Sequence, residues 1–285
     1  MRYTVRVPVS LGACLGHLLA EASARTRKQM LAEGRVRVNG ATARSAGTAL
    51  AAGDLVEVTP RRPRAALPPH LDLVYEDDDL IVVDKPAGLL TIATDRERQR
   101  TVYAYLTGRA RMRRPPARVF VVHRLDRLAS GLLVFATSPV AKRRLQTQFA
   151  AHTVERTYVA VVEGRLARPT GTVASRLLDD APGRVRETPD PGRGRPAVTH
   201  WRVLRAAARH TLLEVRLETG RRNQIRVHLA GLGHPIAGDT AYGSRTDPFG
   251  RLALHAHVLA FDHPETATRM RFVSSAPAAF TKLPG

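Results

Sequence analysis

The chain has 285 residues, of which 45 are Lys or Arg and 25 are Asp or Glu, so its formal net charge is +20. Its apolar fraction of 44% supports a packed core, and no apolar run reaches the roughly 18–20 residues that a membrane-spanning helix needs. The single cysteine, Cys14, excludes an intrachain disulfide and a cysteine-based zinc cluster.

The excess of positive charge indicates a polyanionic partner, most simply a nucleic acid. Arginine dominates the basic residues, and its planar guanidinium suits phosphate groups and base edges. Two alternatives stay open, because a GC-rich genome also produces such a composition and a basic surface also suits a membrane. The N-terminus lacks the apolar segment of an export signal, so we expect a cytoplasmic protein.

Residues 1–60 are predicted to form a small module of their own. Apolar residues from Leu11 to Leu19 recur at helical spacing, and a second helix is predicted over Ser23–Glu33, ended by Gly34. The Asn39-Gly40 pair predicts a turn after a strand, and another strand is predicted over Leu55–Val58.

This order of two helices, then Gly-Arg-Val-Arg-Val-Asn-Gly, then Gly-Asp-Leu-Val-Glu-Val, resembles the alpha-L RNA-binding module named after ribosomal small-subunit protein four. The resemblance implies RNA contacts from basic residues on the second helix and the following strand. These are Arg25, Arg27, Lys28, Arg35 and Arg37. An unrelated basic α+β cap is the alternative.

Residues 61–70 are rich in proline and arginine and show no periodicity, so a linker is predicted there, with a larger domain over residues 71–285. The segment Leu71–Ile92 predicts a strand, an acidic turn, a buried strand and a Lys85-Pro86-Ala87-Gly88 turn. A basic stretch, Arg96–Arg118, follows, with a short helix at Thr101–Arg109 and a break at Pro115-Pro116. It is either a solvated face or a phosphate-contacting segment.

Two apolar runs, Val119–Val122 and Leu132–Ala136, predict strands buried on both faces. The loop between them, His123–Gly131, carries one carboxylate, Asp126, flanked by arginines. Such a loop on rigid strands can hold a reactive side chain at a sheet edge. A solvated turn is the alternative reading of the loop alone.

The next segment predicts a helix over Ser138–Ala150 and a strand over Arg156–Gly164 that includes Tyr158. Residues 171–195 are poor in apolar residues and predict a long flexible hairpin or excursion. Strands follow at 200–206 and 211–218, after Ala197–Thr199 re-enters the sheet.

Thr219 is placed to cap a helix over Arg221–Ala230, in which Arg222, Arg226 and Ala230 share a face.

Four motifs together resemble the RluA family of RNA pseudouridine synthases. They are His-Arg-Leu-Asp with Ser-Gly-Leu-Leu, Lys-Pro-Ala-Gly, Thr-Gly-Arg-Arg-Asn-Gln-Ile-Arg-Val-His-Leu, and Gly-His-Pro-Ile-Ala-Gly-Asp-Thr-Ala-Tyr-Gly. With the closing segments Leu254-His255-Ala256 and Phe261–Pro264, they cover most of residues 71–275 in the family's order. Asn223 departs from the pattern, which has His there more often.

The resemblance implies an α+β catalytic domain with a long mixed, mostly antiparallel sheet and a central basic cleft. It implies a catalytic Asp126, kept ionised by Arg226, and a Tyr158 that faces the target base. It further implies substrate contacts in the cleft and an arginine, Arg124, that fills the space of a flipped base. The substrate-binding residues are Arg124, His123, Arg221, Ile225 and Lys85.

Isomerising uridine needs no redox change and no energy source. The sequence has no Gly-rich or Walker-type nucleotide loop, and no metal or other cofactor is predicted. His228, His255 and His257 are expected to be hydrogen-bonded structural residues. Since only one carboxylate stands out, ordinary glycoside hydrolysis is disfavoured. A non-catalytic RNA-binding or ribosome-assembly protein on the same scaffold is the alternative to a monomeric enzyme acting on ribosomal or transfer RNA.

Overall fold

The computed structural model describes residues 1–32, 34–59, 67–95, 97–113, 118–181 and 184–283. The chain divides into two compact units, Met1–Pro63 and Arg64–Gly285. This division falls inside the predicted linker 61–70, of which residues 61–66 lie outside the described residues.

The first unit packs two helices against short antiparallel strands. Its elements are β1 (Arg2–Thr4), β2 (Val9–Ser10), α1 (Leu11–Leu18), α2 (Ala24–Ala32), β3 (Val36–Val38), β4 (Ala41–Thr42), β5 (Ala49–Leu50) and β6 (Leu55–Val58). The strands pair in the orders β1-β6-β3-β4 and β2-β5. Both predicted helices are present, and Asn39 and Gly40 take positive φ angles of 49° and 80° at the β3–β4 turn. Glu33, the predicted end of the second helix, lies outside the described residues.

The second unit is built on one large sheet. Its strands are β7 (Asp72–Glu76), β8 (Leu80–Lys85), β9 (Phe120–Val121), β10 (Ser130–Ala136), β11 (Glu155–Glu163), β12 (Thr170–Ala181), β13 (Arg184–Thr188), β14 (Arg195–Ala206), β15 (His210–Leu217), β16 (Leu254–Asp262) and β17 (Arg269–Val273). The main path runs β13-β12-β14-β15-β11-β16-β10-β8-β7, with β17 beside β16 and β9 beside β10. Among these described strands, only β10 and β16 pair in parallel. The predicted α+β class with a mixed, mostly antiparallel sheet is therefore confirmed.

Helices cover both faces of the central strands, which explains their continuous apolar sequences. The helices are α3 (Val102–Arg113), α4 (Pro139–Ala150), α5 (Gln224–Gly231) and α6 (Ala278–Thr281), and a 3-10 turn spans Thr240–Tyr242. On β8, Leu80 packs in one apolar cluster with Leu145 of α4, and Ile81 packs in another with Leu106 of α3. No helix of the described residues is long and apolar enough to cross a membrane.

Several predicted boundaries were wrong. The run Val119–Val122 gives only the two-residue strand β9, because only Phe120 and Val121 find partners on β10. Helix α3 continues four residues beyond Arg109, as its last turn is made of good helix formers. The predicted Pro115-Pro116 break lies outside the described residues.

The low-apolar segment 171–195, predicted to be a long flexible hairpin or excursion, contains the antiparallel pair of β12 and β13 and is therefore a hairpin of regular strands. Strand β12 pairs with β14 over eight residue pairs, from Thr170 opposite Arg202 to Leu177 opposite Arg195. Backbone pairing stabilises these strands although few side chains are apolar. A small cluster of Leu177, Val185, Ala197 and Val227 joins this hairpin to α5, so the hairpin supports the helix that carries Arg226.

Candidate active site

A cavity of about 530 Å³ opens where the Asp126 loop, β11 and the start of α5 meet. The residues that line this cavity are far apart in the sequence, and the folded sheet brings them close together. The predicted residues that line the cavity are His123, Arg124, Asp126, Tyr158, Arg221, Ile225 and Arg226. Lys85 does not line it.

Lys85 is the last residue of β8 and is fully buried. Its ammonium nitrogen lies 2.5–3.2 Å from four carbonyl oxygens, those of Pro86, Leu89, Arg127 and Ala129, which share its three N–H donors. Burial lowers the pKa of Lys85 to about 7, although the charge of Asp126 opposes the change. Lys85 therefore ties the Lys-Pro-Ala-Gly turn to the Asp126 loop, a position different from the substrate contact that the resemblance implied.

Two further pairs fix the Asp126 loop. The backbone N–H of Gly88 donates to the Arg127 carbonyl at 2.8 Å, and Arg127 Nε donates to the Gly88 carbonyl at 3.1 Å. The hydroxyl of Thr91 donates to the Leu125 carbonyl at 2.8 Å and accepts the Leu125 N–H at 3.2 Å. The residues on both sides of Asp126 are thus held by groups that are distant in sequence.

The Asp126 carboxylate lies in the cavity with Arg226 as its nearest cation, Nη1 to Oδ2 being 3.7 Å. Burial raises the pKa of Asp126 above its ordinary value, while the charges of Arg226, Arg124 and Lys85 oppose the rise. The negative charge of Asp239 adds to it. The predicted proximity of Arg226 is found, but the cations do not outweigh burial.

The main partner of Arg226 is Asp239, which the sequence analysis missed. Arg226 Nε and Nη2 each donate to one Asp239 oxygen at 2.7 Å, and the Asp239 residue is only 1% exposed. Nη1 donates to the Asn223 side-chain oxygen at 3.1 Å, and the guanidinium lies over the Tyr242 ring at 4.7 Å. Asp239 and Tyr242 belong to the Gly-Asp-Thr-Ala-Tyr motif. A single carboxylate in this mostly apolar segment was the sequence signal that could have indicated a buried ion pair at Asp239.

Helix α5 begins at Gln224, three residues later than predicted, and Thr219 does not cap it. Asn223 precedes the helix in the left-handed conformation, with φ of 53° and no capping bond from its side chain. Thr219 instead donates to Gln224 Oε1 at 2.8 Å, and Gln224 Nε2 donates to the Val198 carbonyl at 3.0 Å. Arg222 therefore precedes the helix, and it pairs with Asp179 of the β12–β13 hairpin at 2.7 Å.

Tyr158 projects from the middle of β11 and is 8% exposed. Burial raises the pKa of Tyr158 to about 12; the charge of Asp126 adds to the rise and Arg156 opposes it. The phenol is therefore protonated at neutral pH, and no described residue hydrogen-bonds its hydroxyl. As the ring is part of the cavity wall, Tyr158 can offer a planar apolar surface with a polar tip.

His123 is neutral and fixed. Its ring stacks on Phe149 with centroids 4.7 Å apart, and its Nε2 accepts the Val134 backbone N–H at 3.1 Å. Burial, assisted by the charge of Arg156, lowers the pKa of His123 to about 3. Since Nε2 is the acceptor, the ring proton is on Nδ1.

The remaining cavity residues differ in exposure. Arg124 is exposed, Ile225 is 4% exposed, and Arg221 Nε donates to the Pro196 carbonyl at 3.0 Å. Arg156 also lines the cavity and is 8% exposed, yet the sequence analysis did not select it. The signal was its position two residues before Tyr158, which places both side chains on one face of a strand.

The three histidines expected to be structural are hydrogen-bonded, as predicted. His228 contacts the hydroxyls of Thr199 and Ser175 at 2.8 and 3.0 Å. His255 contacts the Ser130 hydroxyl at 2.9 Å, and His257 contacts the Ser274 carbonyl at 2.6 Å. Within the described residues, no group of three or more His, Cys, Asp or Glu is arranged to hold a metal ion.

In the first unit, the predicted RNA-contacting residues fall into two classes. Arg25, Lys28 and Arg37 are exposed on α2 and β3. Arg27 Nη1 donates to the Leu19 and Ala22 carbonyls, and Arg35 Nε donates to the Thr59 carbonyl at 3.2 Å. The side chains of Arg27 and Arg35 therefore already hydrogen-bond backbone carbonyls within the first unit.

The arrangement has a definite chemical capacity. A fixed carboxylate can stabilise or attack an electron-poor carbon, and a neighbouring aromatic ring can hold a planar group beside it. Four arginines, Arg124, Arg156, Arg221 and Arg226, line the same cavity and suit an anionic ligand.

Comparisons with known proteins agree on one family. The model of the RNA pseudouridylate synthase family matches residues 79–231. The uncharacterized RNA pseudouridine synthase YlyB of Bacillus subtilis is 38% identical over 268 residues, which are 90% of this chain and 86% of the relative. The ribosomal large subunit pseudouridine synthase D of Neisseria meningitidis is 35% identical over 284 residues, which are 94% of this chain and 75% of the relative.

Solved structures show the same fold. Human RNA pseudouridylate synthase domain containing 4 matches 74% of this chain and 90% of its own, with a TM-score of 0.61 and 23% identity. Human RNA pseudouridylate synthase domain containing 1 matches 72% of this chain and 83% of its own, with a TM-score of 0.57 and 26% identity.

Proposed function

The chain belongs to the RluA type of RNA pseudouridine synthases, and from this premise we propose that Asp126 catalyses the isomerisation of specific uridines in structured RNA. The observation that carries the proposal is that Asp126 lines one cavity with Tyr158 and Arg226, with Arg226 Nη1 at 3.7 Å from its carboxylate. Relatives named for the large ribosomal subunit favour ribosomal RNA over transfer RNA as the substrate.

The reaction rearranges one nucleotide without a net change of atoms. The N1–C1′ bond breaks, its electron pair leaves with the uracil, and the ribose C1′ becomes electron-poor. The ionised Asp126 either bonds to C1′ or takes a sugar proton, and in both cases it offsets the developing positive charge. The uracil turns and C5 bonds to C1′, while Asp126 leaves C1′ or returns the sugar proton that it took. The C5 proton then leaves and N1 regains a proton.

Tyr158 supplies the surface on which the uracil stacks. Its raised pKa disfavours a phenolate, so we assign its hydroxyl the role of a hydrogen-bond donor or proton relay near C5 rather than that of a free base. Arg226 holds the Asp126 carboxylate, and the Asp239 pair holds Arg226 in place.

The target uridine must leave the RNA stack to reach this cavity, at a cost of a few kcal/mol. Arg124 is exposed and lines the cavity, and its side chain makes no hydrogen bond or ion pair with a described residue. This supports its proposed role of filling the space that the flipped uridine leaves in the RNA stack. His123, Arg221 and Ile225 contact the flipped nucleotide in this proposal. Lys85 supports the loop.

The first unit is proposed to bind RNA remote from the cavity through Arg25, Lys28 and Arg37. The domain limits 1–60, 61–70 and 71–285, a cytoplasmic location and a monomeric state belong to the same proposal. No cofactor is required by the reaction.

Mapping of pseudouridines in cellular RNA tests this function. A strain that lacks the gene should lose pseudouridine at one or a few positions of ribosomal RNA, and the wild-type gene should restore them. The Asp126→Asn gene, expressed at the same level, should not. If no position in ribosomal or transfer RNA changes, the protein is a non-catalytic RNA-binding protein on this scaffold.

A further inference from the structure

Arg156 carries a buried positive charge that no described acidic side chain neutralises. The residue is 8% exposed, and no carboxylate of the described residues lies within ion-pair distance of it. Burying a guanidinium without a counter-charge is costly, and a ligand in the cavity that carries or acquires negative charge would supply the missing interaction.

The surrounding residues hold the Arg156 guanidinium in place but satisfy only part of its hydrogen-bonding capacity. Nη2 donates to the Glu218 carbonyl at 2.7 Å, and the group lies 5.4 Å from the centre of the Phe149 ring. Nε is buried without a hydrogen-bond partner among the described residues. Arg156 Nη1 lies against Gly220, where the Cβ of any other residue would clash with it.

The position of Arg156 on β11 defines what it faces. Arg156 and Tyr158 are two residues apart on β11, so their side chains project from the same face of the strand. Both line the cavity that also holds Asp126. With the ribose at Asp126 and the uracil against Tyr158, Arg156 is the cation beside Tyr158 on the same strand and can meet the edge of the base.

We propose that Arg156 is a further catalytic residue, which hydrogen-bonds the carbonyl edge of the flipped uracil and stabilises the negative charge that the base acquires when the N1–C1′ bond breaks. This inference rests on the proposed function. In the ground state the uracil is neutral and the contact is an ordinary hydrogen bond. During cleavage the electron pair of the bond delocalises onto the carbonyl oxygens, and the contact becomes an ion pair.

The test uses the full chain and the RNA fragment whose uridine the mapping experiment identifies. Arg156→Gln is expected to lower the single-turnover rate at saturating RNA by about 100-fold, the order found for loss of one such donor. RNA affinity and its salt dependence should stay at the wild-type value. Arg156→Lys keeps the charge and should retain more activity than Arg156→Gln. Arg216→Gln is the matched control, because Arg216 is exposed on the neighbouring strand β15, opposite Thr157.

A second RNA, with 5-fluorouridine at the target position, separates this role from a structural one. Fluorine makes the uracil a better leaving group, so its cleavage depends less on charge stabilisation, and the penalty of Arg156→Gln should shrink. Cleavage is followed by consumption of the modified nucleotide. If Arg156→Gln does not fold, as judged by its circular dichroism melting curve, Arg156→Lys is compared on the two RNAs in the same way.

Three results would overturn the proposal. They are an unchanged rate, an equal penalty on both RNAs, and a weaker affinity with a flatter salt dependence at an unchanged saturated rate. The last result would make Arg156 a backbone phosphate contact. If the wild-type protein converts neither RNA, the proposed function fails, whatever the Arg156 variants do.

Discussion

Arg226→Gln is expected to move the acidic limb of the pH–rate profile to higher pH. The role proposed for Asp126 requires its anion, so the rate should fall as the pH drops through the pKa of Asp126. Arg226 is the nearest cation, with Nη1 3.7 Å from Asp126 Oδ2, and its charge lowers a pKa that burial raises. Without that charge the carboxylate is protonated at higher pH, and the rate falls earlier.

The size of the shift follows from the distance. For unit charges 3.7 Å apart, Coulomb's law with an effective dielectric constant of about 20 gives roughly 4.5 kcal/mol, or about three pKa units at 1.36 kcal/mol each. Arg226 shares its charge with Asp239, to which it is closer. We therefore expect an upward shift of about 1–3 units.

Asp239 provides the opposite perturbation. Its negative charge raises the pKa of Asp126, so Asp239→Asn should move the limb to lower pH, and the Arg226→Gln/Asp239→Asn double variant should lie between the single variants. The double variant also controls for stability. Arg226→Gln alone leaves a carboxylate that is 1% exposed without its cation, at a cost of about 3–5 kcal/mol.

The assay is the single-turnover rate of pseudouridine formation at saturating RNA, measured from pH 4.5 upward in buffers of constant ionic strength. Arg216→Gln removes one exposed arginine on β15 and serves as the control for a general charge effect. A limb that stays in place in Arg226→Gln, or that moves in the same direction in both single variants, would refute the electrostatic link between Arg226 and Asp126.

Three other predictions follow from particular contacts. Tyr158→Phe keeps the ring and removes the hydroxyl, so release of tritium from C5 of labelled uridine should slow by about 10²-fold while RNA affinity is maintained; full-speed release would place the hydroxyl outside the reaction. Lys85→Met leaves buried carbonyl oxygens without donors, and urea denaturation should show a loss of about 1–3 kcal/mol in the free energy of unfolding. Weakened RNA binding at unchanged stability would instead make Lys85 a substrate contact. Replacing Arg25, Lys28 and Arg37 together with Gln should reduce the salt slope of RNA binding by roughly 2–3, at about 0.7–0.9 per lost phosphate contact; an unchanged slope would make the first unit a structural cap or a protein-binding surface.

The strands around Asp126 were predictable because their signal is local. Leu132–Ala136 is apolar throughout, and the structure buries it between helices on both faces of the sheet. The Asn39-Gly40 turn was predictable for the same reason, since both residues readily take positive φ.

The start of α5 was not predictable from local sequence. Thr219 has the chemistry of a cap, but its hydroxyl bonds to Gln224, whose side chain in turn bonds to β14. The helix therefore begins where the hydrogen bond from Gln224 to Val198, 26 residues earlier, places it.

For two residues of the site, Asp239 and Arg156, the sequence alone does not reveal the spatial partners. Asp239 lies in a recognised motif, yet only the fold shows that it is buried against Arg226, 13 residues away. Arg156 stands in a strand at the two-residue spacing from Tyr158, and only the sheet shows that both side chains line one cavity. Sequence patterns selected the Asp126 loop as the candidate site, and long-range packing determines which residues support the loop and which charges surround it.

The most direct test of the central claim is the release of tritium from C5 of uridine in the target RNA by Asp126→Asn, compared with wild type under single-turnover conditions. Asn keeps the shape of the side chain and removes its charge, so the variant should bind the RNA with wild-type affinity and salt dependence and release no tritium above background. Release at a rate near that of the wild-type protein would contradict the assignment of Asp126 as the catalytic residue.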